Sequence, residues 1–261
     1  MGRLNDKVCI ITGASSGIGA KTSELFAKEG AKVMMIGRRE EALAKQAAAI
    51  SAYNSDISYL AADISDVEAV NAAAAATLEK FGKIDVLCNI AGVLDMGMRP
   101  IEVFKDDELE QVLSINLKGT MYITRAVTKV FSQQGFGNVE TVASVAGTTG
   151  NGSAVYSASK GALVALTKNI ALRFANKTPP IRANCLCPGT VWTPMTKKAS
   201  AAKPKYTKEA SELMATLQDH TTLNVGICHA EDVANALLFL SSDESKCING
   251  QIITIDCGAN L

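Results

Sequence analysis

The chain has 261 residues, 48% of them hydrophobic, which is enough to bury one large core. Its 26 basic and 26 acidic residues cancel, which argues against nucleic acid or an anionic membrane surface as the main partner. No apolar run approaches the roughly 20 residues that cross a bilayer, and the first residues do not resemble a secretory signal. We therefore expect a cytoplasmic protein without a membrane partner.

Short β-branched runs alternate with longer helical stretches along the chain. The predicted strands are Val8–Thr12, Lys32–Ile36, Ile57–Ala61, Asp85–Asn89, Asn138–Ala143, Ile181–Cys187 and Gln251–Asp256. The predicted helices are Ile18–Glu29, Glu40–Ala52, Asp66–Lys80, Asp106–Gln133, Ala154–Ala175 and Glu231–Leu240. Right-handed crossovers join strands that alternate with helices, so the pattern predicts an α/β fold. We expect a single doubly wound, seven-stranded parallel sheet of Rossmann type, with helices on both faces.

The segment at about 190–223 departs from this alternation, because it is rich in lysine and long for a connection. Connections of that length are commonly lids or binding elements. We therefore expect one domain over residues 1–261, with a substrate-binding lid at about 190–223.

Seven cysteines are scattered along the chain without metal-ligand spacing, and only two histidines accompany them. Several of the cysteines fall inside strand-like runs, where a free thiol packs as a small hydrophobe. The sequence therefore predicts no metal site and no disulfide.

A glycine-rich loop, Thr-Gly-Ala-Ser-Ser-Gly-Ile-Gly, occupies residues 12–19 between the first strand and the first helix. Gly13 permits a tight turn, Gly17 lets the main chain approach a pyrophosphate, and Gly19 lets the helix pack close to the strand. The free amides at the helix N-terminus suit phosphate groups. The loop predicts a dinucleotide site, and a flexible turn without a ligand is the alternative.

Tyr156 and Lys160 lie four residues apart in a helical stretch, so their side chains share one helix face. An ammonium beside a phenol favours the phenolate and lowers the tyrosine pKa. Tyr156 is thus a candidate proton donor and acceptor near neutral pH, with Ser144 as a second hydrogen-bond donor. The alternative is a chance pairing of a packed ring with a solvated amine.

The motifs Thr-Gly-x-x-x-Gly-Ile-Gly and Tyr-Ser-Ala-Ser-Lys together resemble the short-chain dehydrogenase/reductase family in its classical form. The resemblance extends over nearly the whole chain. Four further segments carry it: Asp63-Ile64, Asn89-Ile90-Ala91-Gly92, Ser-Ile-Asn116-Leu-Lys-Gly and Pro188-Gly189-Thr-Val-Trp-Thr193. Ile90 stands where the family usually has a second asparagine, so one polar contact beside the cofactor is in doubt.

The resemblance implies hydride transfer between a nicotinamide cofactor and a ketone or secondary alcohol. It implies four catalytic residues, Asn116, Ser144, Tyr156 and Lys160. The implied cofactor-binding residues are Gly13, Ser15, Ser16, Gly17, Ile18, Gly19, Arg38, Arg39, Asp63, Ile64, Asn89, Ala91, Gly92, Tyr156, Lys160, Pro188, Gly189, Val191 and Thr193. The implied substrate-binding residues are Met96, Ser144, Val145, Asn151, Tyr156, Trp192 and Met195.

The 2′-phosphate that distinguishes NADP from NAD is expected to be recognised where Gly37 is followed by Arg38 and Arg39. A carboxylate at the end of the second strand would bind the ribose hydroxyls of NAD and repel a 2′-phosphate. Two guanidinium groups suit that phosphate instead, so we expect NADP(H) to be favoured over NAD(H). The alternative is that both arginines only decorate the solvated start of the next helix.

Methionines and a tryptophan near the expected pocket suggest an adaptable apolar surface for a bulky substrate, such as a hydroxysteroid or bile acid. The same methionines can equally serve to pack the lid. Two other functions stay open: a 3-oxoacyl-[acyl-carrier-protein] reductase, and a non-catalytic binding protein that senses the cofactor. Members of the family pair helices equivalent to Asp106–Gln133 and Ala154–Ala175, so we expect a homotetramer or homodimer.

Overall fold

The computed structural model describes residues 2–201, 206–220 and 226–260. Within these residues the strands are β1 Val8–Thr12, β2 Lys32–Gly37, β3 Ile57–Ala61, β4 Val86–Asn89, β5 Asn138–Val142, β6 Arg182–Pro188, β7 Val191–Trp192, β8 Cys228–His229 and β9 Ile252–Ile255. The α-helices are α1 Gly17–Lys28, α2 Glu40–Ser51, α3 Val67–Phe81, α4 Asp106–Val112, α5 Thr120–Gln134, α6 Ala146–Thr149, α7 Ala154–Phe174, α8 Pro194–Ala201, α9 Lys208–His220 and α10 Ala230–Ser241.

Seven of the strands form one parallel sheet in the order β3-β2-β1-β4-β5-β6-β9. The order reverses direction between β1 and β4, as it does in a doubly wound sheet with helices on both faces. Both the predicted fold class and the seven predicted strands are confirmed.

Hydrophobic residues cover both faces of the sheet. Successive side chains of a strand point to opposite faces, and so Ile10 and Ile11 of β1 enter separate clusters. Ile11 packs with Phe26 of α1 and Leu237 of α10, whereas Ile10 lies in the cluster that contains Phe131 of α5. Strands buried on both faces explain why the predicted runs are continuously apolar.

The long helix predicted over 106–133 is interrupted. A π-helical segment, Leu113–Gly119, separates α4 from α5. Asn116 lies inside this segment, and its side-chain oxygen accepts a hydrogen bond from the Val93 main chain at 2.8 Å. Such wide turns often accompany functional sites, and here the turn joins the helix to the loop that follows β4.

The predicted lid contains β7, α8 and α9, while residues 202–205 and 221–223 lie outside the described part. Val191 and Trp192 form a short strand that pairs with β8, which the sequence did not suggest. None of the helices in the described residues is long and apolar enough to cross a membrane.

Candidate active site

A cavity of about 530 Å³ opens at the carboxyl ends of the central strands. This is the edge at which doubly wound sheets bind their ligands. Its lining includes Gly92 after β4, Ser144 after β5, and Tyr156 and Lys160 of α7. Thr12 links two of the strand ends, because its hydroxyl accepts hydrogen bonds from the main chain of Ile90 at 2.9 Å and of Ala91 at 3.1 Å.

Tyr156 and Ser144 form the polar centre of this cavity. Burial raises the pKa of Tyr156 to about 12, and a hydrogen bond with the Ser144 side chain opposes that rise. The Ser144 hydroxyl also accepts a hydrogen bond from the Ala146 main chain at 3.2 Å. The sequence predicts that the neighbouring ammonium lowers the Tyr156 pKa, whereas among the protein's own groups desolvation of the phenol dominates and raises it.

Lys160 is buried on the same helix face as Tyr156. Its Nζ lies 5.7 Å from the centre of the Tyr156 ring and donates a hydrogen bond to the Val142 carbonyl at 3.0 Å. Burial lowers the pKa of Lys160 to about 8, although the thiols of Cys185 and Cys187 oppose the shift. Lys160 can therefore gain or lose a proton close to neutral pH.

Asn116 is fully buried and holds the loop after β4 in place. Its amide nitrogen donates to the Val93 carbonyl at 3.0 Å and to the Ser159 hydroxyl at 3.1 Å. A Cβ added at Gly92 would lie 3.3 Å from the Asn116 oxygen and 3.4 Å from Lys160 Nζ. The Asn116 and Lys160 side chains therefore both approach Gly92; Gly92 and Lys160 line the cavity, whereas Asn116 does not.

The glycine-rich loop has the shape that its sequence predicts. Gly13 and Gly17 have φ angles of 69° and 55°, which favour glycine. A Cβ added at Gly19 would lie 2.4 Å from the Gly13 carbonyl oxygen, so α1 packs against the loop as only glycine allows. The Ser16 side chain does not cap α1, which leaves the first amides of the helix available for a phosphate.

Arg38 and Arg39 lie beside this loop, at the open end of the site. Arg39 donates hydrogen bonds to the Ser15 carbonyl at 3.2 Å and to the Ser15 hydroxyl at 3.1 Å. Arg38 Nη1 lies 3.7 Å from a carboxylate oxygen of Asp63. The Asp63 pKa is lowered: although burial raises it, hydrogen bonds from Ser65 and the charge of Arg38 outweigh that effect.

The remaining predicted cofactor residues divide into two groups. Five of them line the cavity: Ile18, Pro188, Gly189, Val191 and Thr193. The others are placed behind it. The Asn89 side chain donates to the Thr124 hydroxyl at 2.9 Å, and the Ile64 side chain is buried in the core.

The structure brings most of the predicted substrate residues to the cavity, but not Met96 or Trp192. Ser144, Val145, Asn151, Tyr156 and Met195 line the cavity. Trp192 follows the buried Val191 on β7, and strand alternation turns its ring outward to 46% exposure beneath Lys197. Met96 is 40% exposed, and Met98 of the same loop lines the cavity instead.

Sequence reasoning missed one wall of the cavity. Ala259 and Asn260 line it from a turn that follows β9, the last strand of the sheet. The Asp256 carboxylate holds this turn by accepting hydrogen bonds from the main chain of Gly258 at 2.9 Å and of Asn260 at 3.0 Å. No motif marks these residues, because only the fold carries them to the site.

A model of the short chain dehydrogenase family matches residues 7–204. The chain belongs to the short-chain dehydrogenase/reductase family. Levodione reductase of Leifsonia aquatica is 35% identical over 98% of this chain and 95% of its own length. A crystal structure of levodione reductase superimposes with a TM-score of 0.87 at 32% identity, covering 98% of both chains.

Other relatives in the short-chain dehydrogenase/reductase family carry different substrate names. A 3β-hydroxysteroid dehydrogenase of Mediterraneibacter gnavus is 35% identical over 99% of this chain and 96% of its own length. A 3-oxoacyl-[acyl-carrier-protein] reductase of Thermotoga maritima is 34% identical over 98% of both chains. The family therefore supports an oxidoreductase that acts on CH–OH groups, and leaves the substrate undetermined.

Proposed function

We propose that the protein reduces a ketone, or oxidises the corresponding secondary alcohol, with a nicotinamide cofactor. The observation that carries the proposal is the convergence of Ser144, Tyr156 and Lys160 on one cavity at the carboxyl edge of the sheet. The glycine loop and the uncapped first turn of α1 fit a dinucleotide's phosphates. When bound, the nicotinamide supplies the hydride chemistry.

Ser144, Tyr156 and Lys160 each have a role in moving one proton. The Ser144 hydroxyl orients the substrate oxygen, and the Tyr156 phenol donates its proton to that oxygen during reduction. The Lys160 ammonium favours the resulting phenolate, and with a pKa of about 8 it can exchange protons near neutral pH. Asn116 is assigned the support of the loop after β4, because its amide is bonded to Val93 and Ser159.

We further propose that NADP(H) is the preferred cofactor. Arg38 and Arg39 both follow the small Gly37 and lie beside the phosphate loop, where a 2′-phosphate would add two negative charges. Both side chains are solvent-exposed, so they can turn from Asp63 and Ser15 to a ligand without disturbing the core.

The substrate proposed is a bulky apolar ketone or alcohol of the hydroxysteroid or bile-acid type. Three methionines, Met98, Met195 and Met214, line the cavity and give it an adaptable apolar wall. The hydroxysteroid dehydrogenase relative supports this choice. The acyl-carrier-protein reductase relative supports the second candidate, a 3-oxoacyl thioester reductase.

The test follows the absorbance of NADPH and NADH against ketosteroids, acetoacetyl thioesters and quinones, using wild type and Tyr156→Phe. We expect wild type to turn over a ketosteroid, and Tyr156→Phe to lose at least about a hundredfold in kcat while still binding the cofactor. Tyr59→Phe, which changes an exposed tyrosine on β3, is the matched control. Near-wild-type turnover by Tyr156→Phe would overturn the assignment.

Two other outcomes separate the remaining alternatives. Turnover of the thioester alone would assign the protein to the second candidate. Tight cofactor binding without any turnover would favour the non-catalytic sensor.

We also propose a homodimer or homotetramer that pairs α5 and α7 of neighbouring copies. Leu172 on α7 is 79% exposed, and Met121 on α5 is also exposed. Large apolar side chains that face solvent on two helices are typical of a surface covered by another copy.

A further inference from the structure

The geometry points to Asp95 as a positioning residue that acts on Tyr156 through Ser153. The family resemblance assigns no role to Asp95, which lies in the loop between β4 and α4. The proposal rests on Tyr156 being the proton-transfer group proposed above.

Asp95 is joined to Tyr156 by two consecutive hydrogen bonds. Ser153 caps α7, and its hydroxyl accepts a hydrogen bond from the Tyr156 main-chain amide at 3.3 Å. The same hydroxyl donates its proton to the Asp95 carboxylate. Because Ser153 is completely buried and Asp95 is 3% exposed, water cannot readily replace either bond. Asp95 therefore orients the hydroxyl that fixes the first turn of the catalytic helix.

The loop that carries Asp95 makes a second connection to the start of α7. The main-chain amide of Ala154 donates to the Arg99 carbonyl at 3.2 Å, and the Met98 amide donates to the Asp95 carbonyl at 3.4 Å. The Arg99 side chain is held in turn by an ion pair with Glu108 of α4, in which Arg99 Nε lies 3.0 Å from Glu108 Oε2. Since Met98 also lines the cavity, this loop joins the substrate side of the site to the helix that carries Tyr156.

The charge of Asp95 acts on the Tyr156 phenol as well. The Asp95 carboxylate raises the pKa of Tyr156, because a nearby negative charge opposes the phenolate. Burial raises the pKa of Asp95 itself; its hydrogen bond from Ser153 opposes that rise and the charge of Glu108 adds to it. The polar and charged groups that face Asp95 are therefore Ser153 and Tyr156 at the start of α7, Glu108 of α4, and Arg99, which is paired with Glu108.

Two variants separate the charge of Asp95 from the hydrogen-bonded link. Asp95→Asn removes the charge and keeps an oxygen that can accept from Ser153, so we expect the phenol to ionise at lower pH than in wild type. Its ionisation is read by ultraviolet difference titration against Tyr156→Phe. Ser153→Ala keeps the charge and breaks the link. We expect it to lose about fivefold in kcat, the rate equivalent of one cap, with KM changed less than about twofold.

Asp66→Asn is the control, because Asp66 also caps a helix, α3, by accepting hydrogen bonds from the main-chain amides of Glu68 and Ala69. We expect it to leave both the phenol titration and kcat as in wild type. An Asp95→Asn titration that coincides with wild type, or a Ser153→Ala kcat equal to that of wild type, would overturn the proposal. The titration requires no substrate. A shifted phenol titration in a protein that reduces none of the tested carbonyls would therefore overturn the proposed reaction and leave standing the effect of the Asp95 charge on Tyr156.

Discussion

At the scale of single residues, Arg39 is the residue expected to select between the two nicotinamide cofactors. Its guanidinium lies against Ser15 in the glycine loop, whereas Arg38 is turned towards Asp63. A hydrogen bond between a guanidinium and a phosphate is charge-assisted and about twice as strong as a neutral one. Most of the proposed preference for NADP(H) is therefore expected to depend on Arg39.

Replacing Arg39 by alanine tests this expectation. We predict that Arg39→Ala raises the KM for NADPH roughly tenfold or more, because one charge-assisted contact is lost, and leaves the KM for NADH within about twofold. The measurement is initial-rate kinetics with each cofactor at a saturating concentration of the carbonyl substrate.

Lys45→Ala removes an exposed positive charge further along α2 and serves as the control. It should change neither KM. If Arg39→Ala and Lys45→Ala have the same KM for NADPH, the arginine does not read the phosphate.

The sequence predicted which residues share the site, but not how burial shifts the pKa values of those residues. The spacing of Tyr156 and Lys160 predicted a shared helix face, which the 5.7 Å distance from Nζ to the ring centre agrees with. It could not predict that burial would raise one pKa to about 12 and lower the other to about 8, because burial depends on packing from distant elements.

At the scale of elements, a carboxyl group is enclosed where β5, β6 and α10 meet. Glu140 of β5 is fully buried and lies opposite Asn184 of β6. Arg182 of β6 donates to the Leu240 carbonyl of α10 at 2.8 Å and to the Ile248 carbonyl at 2.8 Å. Burial raises the pKa of Glu140 to about 8, and the charge of Arg182 opposes the shift.

This carboxyl group makes stability depend on pH. The pKa of Glu140 rises from 4.5 to about 8 on folding, so between these values the folded chain binds more protons than the unfolded chain. Its stabilising effect is complete below pH 4.5 and is lost as the pH rises through about 8. We predict that Glu140→Gln, which stays neutral, gains on the order of a few kcal/mol in the free energy of unfolding relative to wild type between pH 5 and pH 9.

Urea unfolding of wild type and Glu140→Gln at the two pH values measures this difference. Glu79→Gln, which changes an exposed carboxylate on α3, should show no such gain. A constant difference between wild type and Glu140→Gln at both pH values would mean that Glu140 does not titrate in this range.

Element types were predicted well because the periodicity of buried strands and amphipathic helices is local. All seven predicted strands overlap strands of the large sheet, and Ile57–Ala61 has the predicted bounds. The π-helical segment Leu113–Gly119 was missed because a contact with Val93, distant in sequence, accompanies it. The strand Val191–Trp192 was missed because two residues are too few for a pattern, and the outward position of Trp192 follows from that strand.

At the scale of the whole molecule, a substitution on the exposed apolar face of α7 can test the proposed homodimer or homotetramer. We predict that Leu172→Glu lowers the mass measured by light scattering, because an unpaired charge at a packed interface costs several kcal/mol. Leu172 is 79% exposed, so the substitution costs little in an isolated protomer.

Tyr53→Glu places the same charge on an exposed aromatic residue that follows α2, and it should leave the mass unchanged. A wild-type protein that is already monomeric in solution would contradict the proposed pairing.

The turn after β9 can influence which substrate fits the cavity without contributing to the proposed chemistry. Ala259 and Asn260 form a wall of the cavity, but the turn is held by Asp256 and contributes none of the proposed catalytic groups. Selection or directed evolution can therefore reshape the wall at Ala259 to admit larger or smaller ligands, while Tyr156 and Lys160 keep their places. Variants of this protein that change first in this turn would accept different substrates before the reaction itself changes.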